Sequence, residues 1–368
     1  MRVAPREGFP AAPRSGVETI LWPALMPEFQ ARLLAIEFQL GQSEWWTEAE
    51  LRVHQLGQLG HLLTHAQATV PFYRDAITAA GFRVGEPLTP EIWARLPILD
   101  RAAAQTQRNA LTSRAVPPAH GPVTELRIDR VGPMRLPITE MAQLMRLAIF
   151  LREQIWHPRD LAGKRAVLRL DDAAAGSSDG RREQNWGWPV GVLYETGPQT
   201  VLDRRATLDV QVDWLMREEP AYLVASPADV LALAREFRAR SVELPSLKGV
   251  QSLGGGWSAE LRSACREAWG LPLVHFCRAE EVGPLAVQCP EHEHLHVQSE
   301  QALVEVLDDH GRPCGPGETG RVVATSLNNF AMPLIRYEIG ETAEMGVSCP
   351  CGRGLPVLTR ITSRDSTP

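Results

Sequence analysis

Lysine is almost missing from this chain. Its 368 residues include only Lys164 and Lys248, so 36 of the 38 basic residues are arginine. No lysine follows position 248, which excludes any step that draws a lysine amine from the last third of these residues. Long apolar runs are missing too. None reaches the roughly 18 residues that a membrane-spanning helix needs. The first 16 residues carry arginines but no apolar core, so they read as a disordered lead-in and not as a secretory signal. Cysteine is sparse: six residues, the first at position 265, are too few and too clustered for a disulfide framework. A reducing cytoplasm is the expected compartment. Positive charge is not in excess either. With 44 acidic residues against 38 basic, the net charge is −6, which argues against broad nucleic-acid binding.

What is present is ordinary globular composition, 44% hydrophobic and 22% charged, at a length that suits two to three domains or lobes. Residues 17–115 read as helical, because Leu33, Ile36 and Leu40 recur at helical spacing. Thr47 with Glu50 three residues later predicts a capping box. From 116 to 284, apolar strands alternate with amphipathic helices, as in AVLRL, AYLVASPADVLALAREF and GVQSLGGGWSAELRSACREAWGLPLVHFC. That alternation predicts an α/β lobe with a largely parallel sheet. VGVLYE is read as a strand. From 285 to 368 short strands follow one another around the turn-rich stretch DDHGRPCGPGETG, giving a β-rich lobe.

The sharpest local signal is metal-like. Cys289 is followed by His292, His294 and His296, and Cys349 and Cys351 form a Cys-x-Cys pair in CPCGRG. Thiolates and imidazole suit tetrahedral zinc, and four protein ligands would make it structural. The expected set is Cys289, His296, Cys349 and Cys351, with His292 as the alternative histidine. Unrelated cysteines beside an exposed histidine loop would give the same letters. Gly254-Gly255-Gly256, between a strand and a helix, either cradles a phosphate or makes a tight turn. Glu280 and Glu281 follow a strand, where open α/β sheets place ligands, or simply begin a solvated loop. Cys277 reads as a small buried residue, and Trp186 and Trp188 as loop or core packing.

Three stretches carry a family resemblance: EEVGPLAVQCPEHEHLHV, VEVLDDHGRPCGPGETGRVVATSLNNFAMPLIRYEIGE and CPCGRGLPVLTRITSR. They resemble the phenylacetate–coenzyme A ligase-like branch of the adenylate-forming enzymes. HAQATVPFYRDAITAAGF and LPILDR resemble that branch's N-terminal region. The resemblance implies the family's large N-terminal domain: a helical region, parallel-sheet α/β subdomains and a β-rich lobe around an ATP and carboxylate pocket. Such enzymes activate a carboxylic acid as an acyl-adenylate, with magnesium, and pass it to a thiol.

Several parts of that machinery are altered here. The phosphate loop falls on LRIDRVGPMRLPITE, where only Gly132 is left and no hydroxyl lies between Leu126 and Pro137. Ile128, Asp129 and Val131 wrap a triphosphate poorly. The aromatic-x-x-x-Glu signature, which lines adenine and supports magnesium, falls on Phe276 to Glu280, with Cys277 and Ala279 inside it. The Gly-x-Glu-Pro turn that contacts adenine has become Gly254-Gly255-Gly256-Trp257. The ribose-binding aspartate is Glu341, after Arg336 and Tyr337. The hinge element falls on Thr362-Ser363-Arg364-Asp365, and the small C-terminal catalytic domain with its lysine is not within these residues.

The resulting expectation is a degenerate homologue that does not make acyl-adenylates alone. It would bind a carrier, peptide, partner protein or small carboxylic acid in a biosynthetic or modification pathway. The alternative is an active acid-activating enzyme completed by a separate domain, using Glu280, Phe276, Arg336 and Glu341. A third is that the pocket, with His275, Cys277, Glu280 and Glu281, serves a different reaction.

Overall fold

A computed structural model describes residues 13–20, 22–128 and 134–363. Most of the expected lead-in, the loop residues Asp129, Val131 and Gly132, and the hinge residues Arg364 and Asp365 lie outside the described residues. The chain begins with α1 (Glu28–Ser43), α2 (Glu48–Thr69), α3 (Arg74–Ala79), α4 (Pro90–Ala94), α5 (Arg101–Thr106) and α6 (Arg108–Leu111). A hairpin of β1 (Val123–Ile128) and β2 (Met134–Thr139) leads into α7 (Glu140–Trp156). Then come β3 (Arg165–Arg169), β4 (Arg181–Glu183), α8 (Val190–Leu193), β5 (Gln199–Asp203), α9 (Leu208–Glu218) and β6 (Tyr222–Ala225). They are followed by α10 (Pro227–Arg240), β7 (Gly249–Leu253), α11 (Ala259–Trp269) and β8 (Leu273–Ala279). The last strands are β9 (Gly283–Gln288), β10 (Leu295–Val297), β11 (Ala302–Leu307), β12 (Thr319–Ser326), β13 (Tyr337–Met345) and β14 (Val357–Ser363).

These elements form two compact units that interleave along the chain. One comprises residues 1–34 and 150–277; the other comprises 35–149 and 278–368. In the first unit, β5, β3, β6, β7 and β8 are neighbours in that order, all parallel, with β4 antiparallel on β5. Local chemistry sets the helix starts. Ser226 caps α10 by accepting from Asp229 N–H, with Pro227 at the first helical position, and Ser258 caps α11 through Leu261 N–H. Gly270 ends α11 in the left-handed conformation, at φ +68°. Lys164 donates to both the backbone carbonyl and the carboxylate of Glu218 at the end of α9.

In the second unit, β9, β10, β14, β13, β12 and β11 form antiparallel neighbours. The expected capping box starts α2: Thr47 Oγ1 accepts from Glu50 N–H while the Glu50 carboxylate accepts from Thr47 N–H. The β11–β12 turn is built by Asp308, whose Oδ1 accepts from the N–H groups of His310 and Arg312.

One local reading differs from the structure. VGVLYE contains a helical turn, α8, and no strand. A short apolar run fits either period, and here Gly191 N–H bonds back to Gly187 O within a loop. Strand β13 begins at Tyr337, because Arg336 takes a positive φ of 49° that breaks the extended backbone before it.

Candidate functional site

The second unit brings four metal-ligand side chains together. Cys289 follows β9 at the start of a tight connection, closed by its N–H bonding to His294 O. His296 lies within β10, paired with Val287 on one side and Val357 on the other. Cys349 and Cys351 come from the loop between β13 and β14. One donor atom from each of the four lies within 4.8 Å of the other three. Cys289 Sγ and Cys349 Sγ are 3.8 Å apart, and Cys351 Sγ is 3.4 Å from His296 Nε2. Sulfur and nitrogen ligands around tetrahedral zinc stand about 3.6–3.8 Å apart, so these two distances are close to those of a coordination shell. The sulfur spacing does not match a disulfide, in which the sulfurs are about 2.05 Å apart.

The surroundings suit a cation as well. His296 is fully buried and its Nδ1 lies 3.2 Å from the Leu355 carbonyl. Only a protonated Nδ1 can donate there, which turns the lone pair of Nε2 toward the cysteines. The N–H groups of Glu291 and Cys351 point at Cys289 Sγ and Cys349 Sγ, at 3.5 and 3.4 Å. Such donors favour thiolate charge, but burial dominates: it raises the Cys289 thiol and pushes Cys349 up to about 12. A divalent ion would therefore have to displace protons on binding. His292 is not among the four. It stacks on His294, with ring centres 5.4 Å apart.

The segment between α1 and α2 grips this loop. Arg353 Nε pairs with Glu44 at 3.2 Å, and its guanidinium sits 4.7 Å over the Trp45 ring. Gly354 N–H bonds to Glu44 O at 3.0 Å. A Cβ on Gly354 would lie 1.8 Å from Trp46 O, so only glycine fits.

The residues assigned to nucleotide by family resemblance fall in both units. In the first, Gly254 takes φ +134° and donates its N–H to Phe276 O, and Gly255 follows it in the turn after β7. Phe276 has no exposure, and Phe150 lies flat on it with ring centres 4.4 Å apart and planes 10° apart. Trp257, where the family has its adenine turn, is buried and stacks on His275 at 5.2 Å, with Arg262 over its ring at 4.7 Å. His275 also meets Ser252 Oγ at 2.7 Å, and burial pushes its imidazole down to about 3. Cys277 is buried with it. Trp186 is buried, while Trp188 is 53% exposed.

In the second unit, Glu280 is half-buried, and its backbone carbonyl and that of Glu281 both accept from Arg146. The Glu281 carboxylate accepts from Arg101 at 3.0 Å and from Tyr337 OH at 3.1 Å. Burial and that carboxylate both raise the Tyr337 phenol. Arg336 is held internally, donating to the carbonyls of Ala94 and Leu96 and pairing with Glu305 at 3.1 Å. Glu341 is buried within β13. Sequence reasoning missed Phe150, Arg146, Arg101 and Arg353, since each meets a partner more than 120 residues away in the chain.

No family model matches the chain. Over 150 residues it is 31% identical to a phenylacetate-coenzyme A ligase of Thermus thermophilus, which covers 39% of this chain and 34% of that enzyme. Over 333 residues it is 22% identical to the phenylacetate-coenzyme A ligase of Pseudomonas putida, covering 85% and 70% of the two chains. The match to the first relative thus spans about a third of that enzyme's length. Among solved structures, 2-hydroxyisobutyryl-CoA ligase bound to 2-HIB-AMP and CoA superposes with a TM-score of 0.64, at 21% identity, over 85% of this chain and 69% of that one. The same ligase in its thioesterification state gives 0.64 at 20% identity. In sequence the chain is phenylacetate–coenzyme A ligase-like, and its fold is that of the adenylate-forming enzymes.

Proposed function

We propose that this chain is a degenerate relative of the adenylate-forming ligases that acts as a binding or accessory protein in a biosynthetic or modification pathway. Its occupant would be a carrier, a peptide or a partner protein, and it would not form acyl-adenylates by itself. One observation carries this reading. Phe276, the aromatic assigned to line adenine, is wholly buried with Phe150 packed flat on its face. A ring already stacked inside its own unit has no face to give a base. Trp257 at the adenine turn and the absence of hydroxyls from 127 to 136 support the same reading.

Cys289, His296, Cys349 and Cys351 would hold a zinc ion. With four protein ligands it would cross-link the β9–β10 and β13–β14 connections and leave no open position for catalysis. The bound ion supplies folding energy and no reaction step.

Isothermal titration of ATP and magnesium into the purified chain tests the nucleotide reading. No heat is the expected result, with no shift in thermal midpoint. Micromolar binding, about −8 kcal/mol, would overturn it. That outcome would favour the second reading, an acid-activating enzyme completed by a separate domain. Glu280 is the residue that favours it, because Arg146 still pins its backbone. Pyrophosphate release with a carboxylic acid and a supplied C-terminal domain would then be the decisive assay.

A further inference from the structure

The first unit contains a small polar cavity away from every residue discussed above for nucleotide or metal. It lies between the C-terminal end of α7 and the N-terminal ends of β3, β6 and β7, whereas Gly254 follows the opposite end of β7. Its volume is about 10 Å³. That is about the space one water needs. Gln154, Gln251, Arg159, Arg165 and Trp186 line it.

Two of these side chains have unanswered hydrogen-bonding groups. Gln154 is 7% exposed and Gln251 is 6% exposed. Among the described residues, no group bonds to Gln154 Oε1 or to Gln251 Nε2. The orientation of Gln154 is fixed, because its Nε2 donates to Glu153, a carboxylate that also receives Arg159. A flipped amide would set oxygen against oxygen. So an acceptor and a donor remain unanswered in the lining of one cavity, at a cost of about 1–3 kcal/mol each if nothing meets them.

The chemistry selects among small occupants. A cation is disfavoured by Arg165, whose burial beside Arg159 already pulls its guanidinium down to about 9. Arg165 itself donates to neutral acceptors, Gln199 Oε1 and Trp186 O. An anion would satisfy Gln251 Nε2 but repel Gln154 Oε1. A neutral molecule that donates and accepts answers both.

We propose that this cavity is a binding site for one internal water, which accepts from Gln251 Nε2 and donates to Gln154 Oε1. The water ties α7 to β7 through hydrogen bonds that neither side chain makes alone.

A high-resolution crystal structure of the intact chain, with a parallel crystal soaked in bromide, tests this. The expected result is one peak within hydrogen-bond distance of both amides, with no anomalous signal after bromide. A dry cavity, amides bonded directly to each other, or a bromide peak would each overturn the proposal. Thermal unfolding of Gln154→Leu, Gln251→Leu and the double variant gives an independent reading. Each single change strands one partner, so the double variant should lose less in melting midpoint than the sum of the singles. Strict additivity would count against a shared water.

Discussion

At the scale of single residues, the four candidate metal ligands are where the sequence spoke most directly. Cysteine is rare here, and Cys349-x-Cys351 with Cys289 and a nearby histidine was enough to propose a site. The sequence favoured His296 with His292 as the alternative, and the β10 register places His296 between β9 and β14. The proposed zinc gives a direct test. The purified chain should carry about one zinc per molecule by elemental analysis, and Cys349→Ser should reduce that to near zero. Zinc content equal in both proteins would remove the assignment.

His275 supports a pH prediction. Its folded imidazole titrates near 3, against about 6.5 when unfolded. A depressed histidine binds protons more readily in the unfolded chain, so stability is full above 6.5 and falls as pH drops toward 3. Between pH 7 and pH 5 the loss from this residue is about 2 kcal/mol. Denaturant unfolding at the two pH values should show that loss in the parent and a flatter dependence in His275→Gln. Equal slopes would show that His275 is not the source.

At the scale of elements, alternation of strand and helix was legible from residue 165 to 279, because capping residues such as Ser226 and Ser258 punctuate it. The β1–β2 hairpin was not, since Val123 to Thr139 shows no clean period-two alternation. Loop-to-loop grip was equally invisible. Gly354 could be any turn glycine in the sequence, yet it is held against Trp46 O from the α1–α2 connection. Gly354→Ala should therefore lower the melting midpoint by several degrees, a backbone clash that no rotamer relieves. Arg353→Ala should cost less, because it removes side-chain contacts, among them the Glu44 and Glu291 pairs and the Trp45 stack, and forces no backbone clash. A Gly354→Ala variant as stable as the parent would refute the close packing.

At the scale of the whole molecule, the compact units do not follow the order of residues along the chain. A linear reading separates a helical region, an α/β region and a β-rich lobe. The two compact units break within α1, α7 and β8. No composition shift marks those breaks, because a helix that crosses from one unit to another keeps one period. The division yields a prediction for metal removal. The four ligands all belong to the second unit. Chelation should raise amide exchange there, around residues 44–47, 289–297 and 349–358, and leave the parallel strands β3, β5, β6 and β7 protected. Uniform loss of protection across both units would mean that the ion stabilises the molecule as a whole.

The shortage of lysine has a practical consequence for labelling this protein. Of the two side-chain amines, Lys164 is engaged by the carbonyl and carboxylate of Glu218, and only a third of its side chain is exposed. Lys248 is 62% exposed and sits 3.6 Å from Asp160 in a weak surface pair. An amine-reactive dye at moderate pH therefore has one readily available side chain to modify. A label carried by that side chain would sit at the start of β7, and the terminal amine, which titrates about two units lower than a lysine, is the competing target.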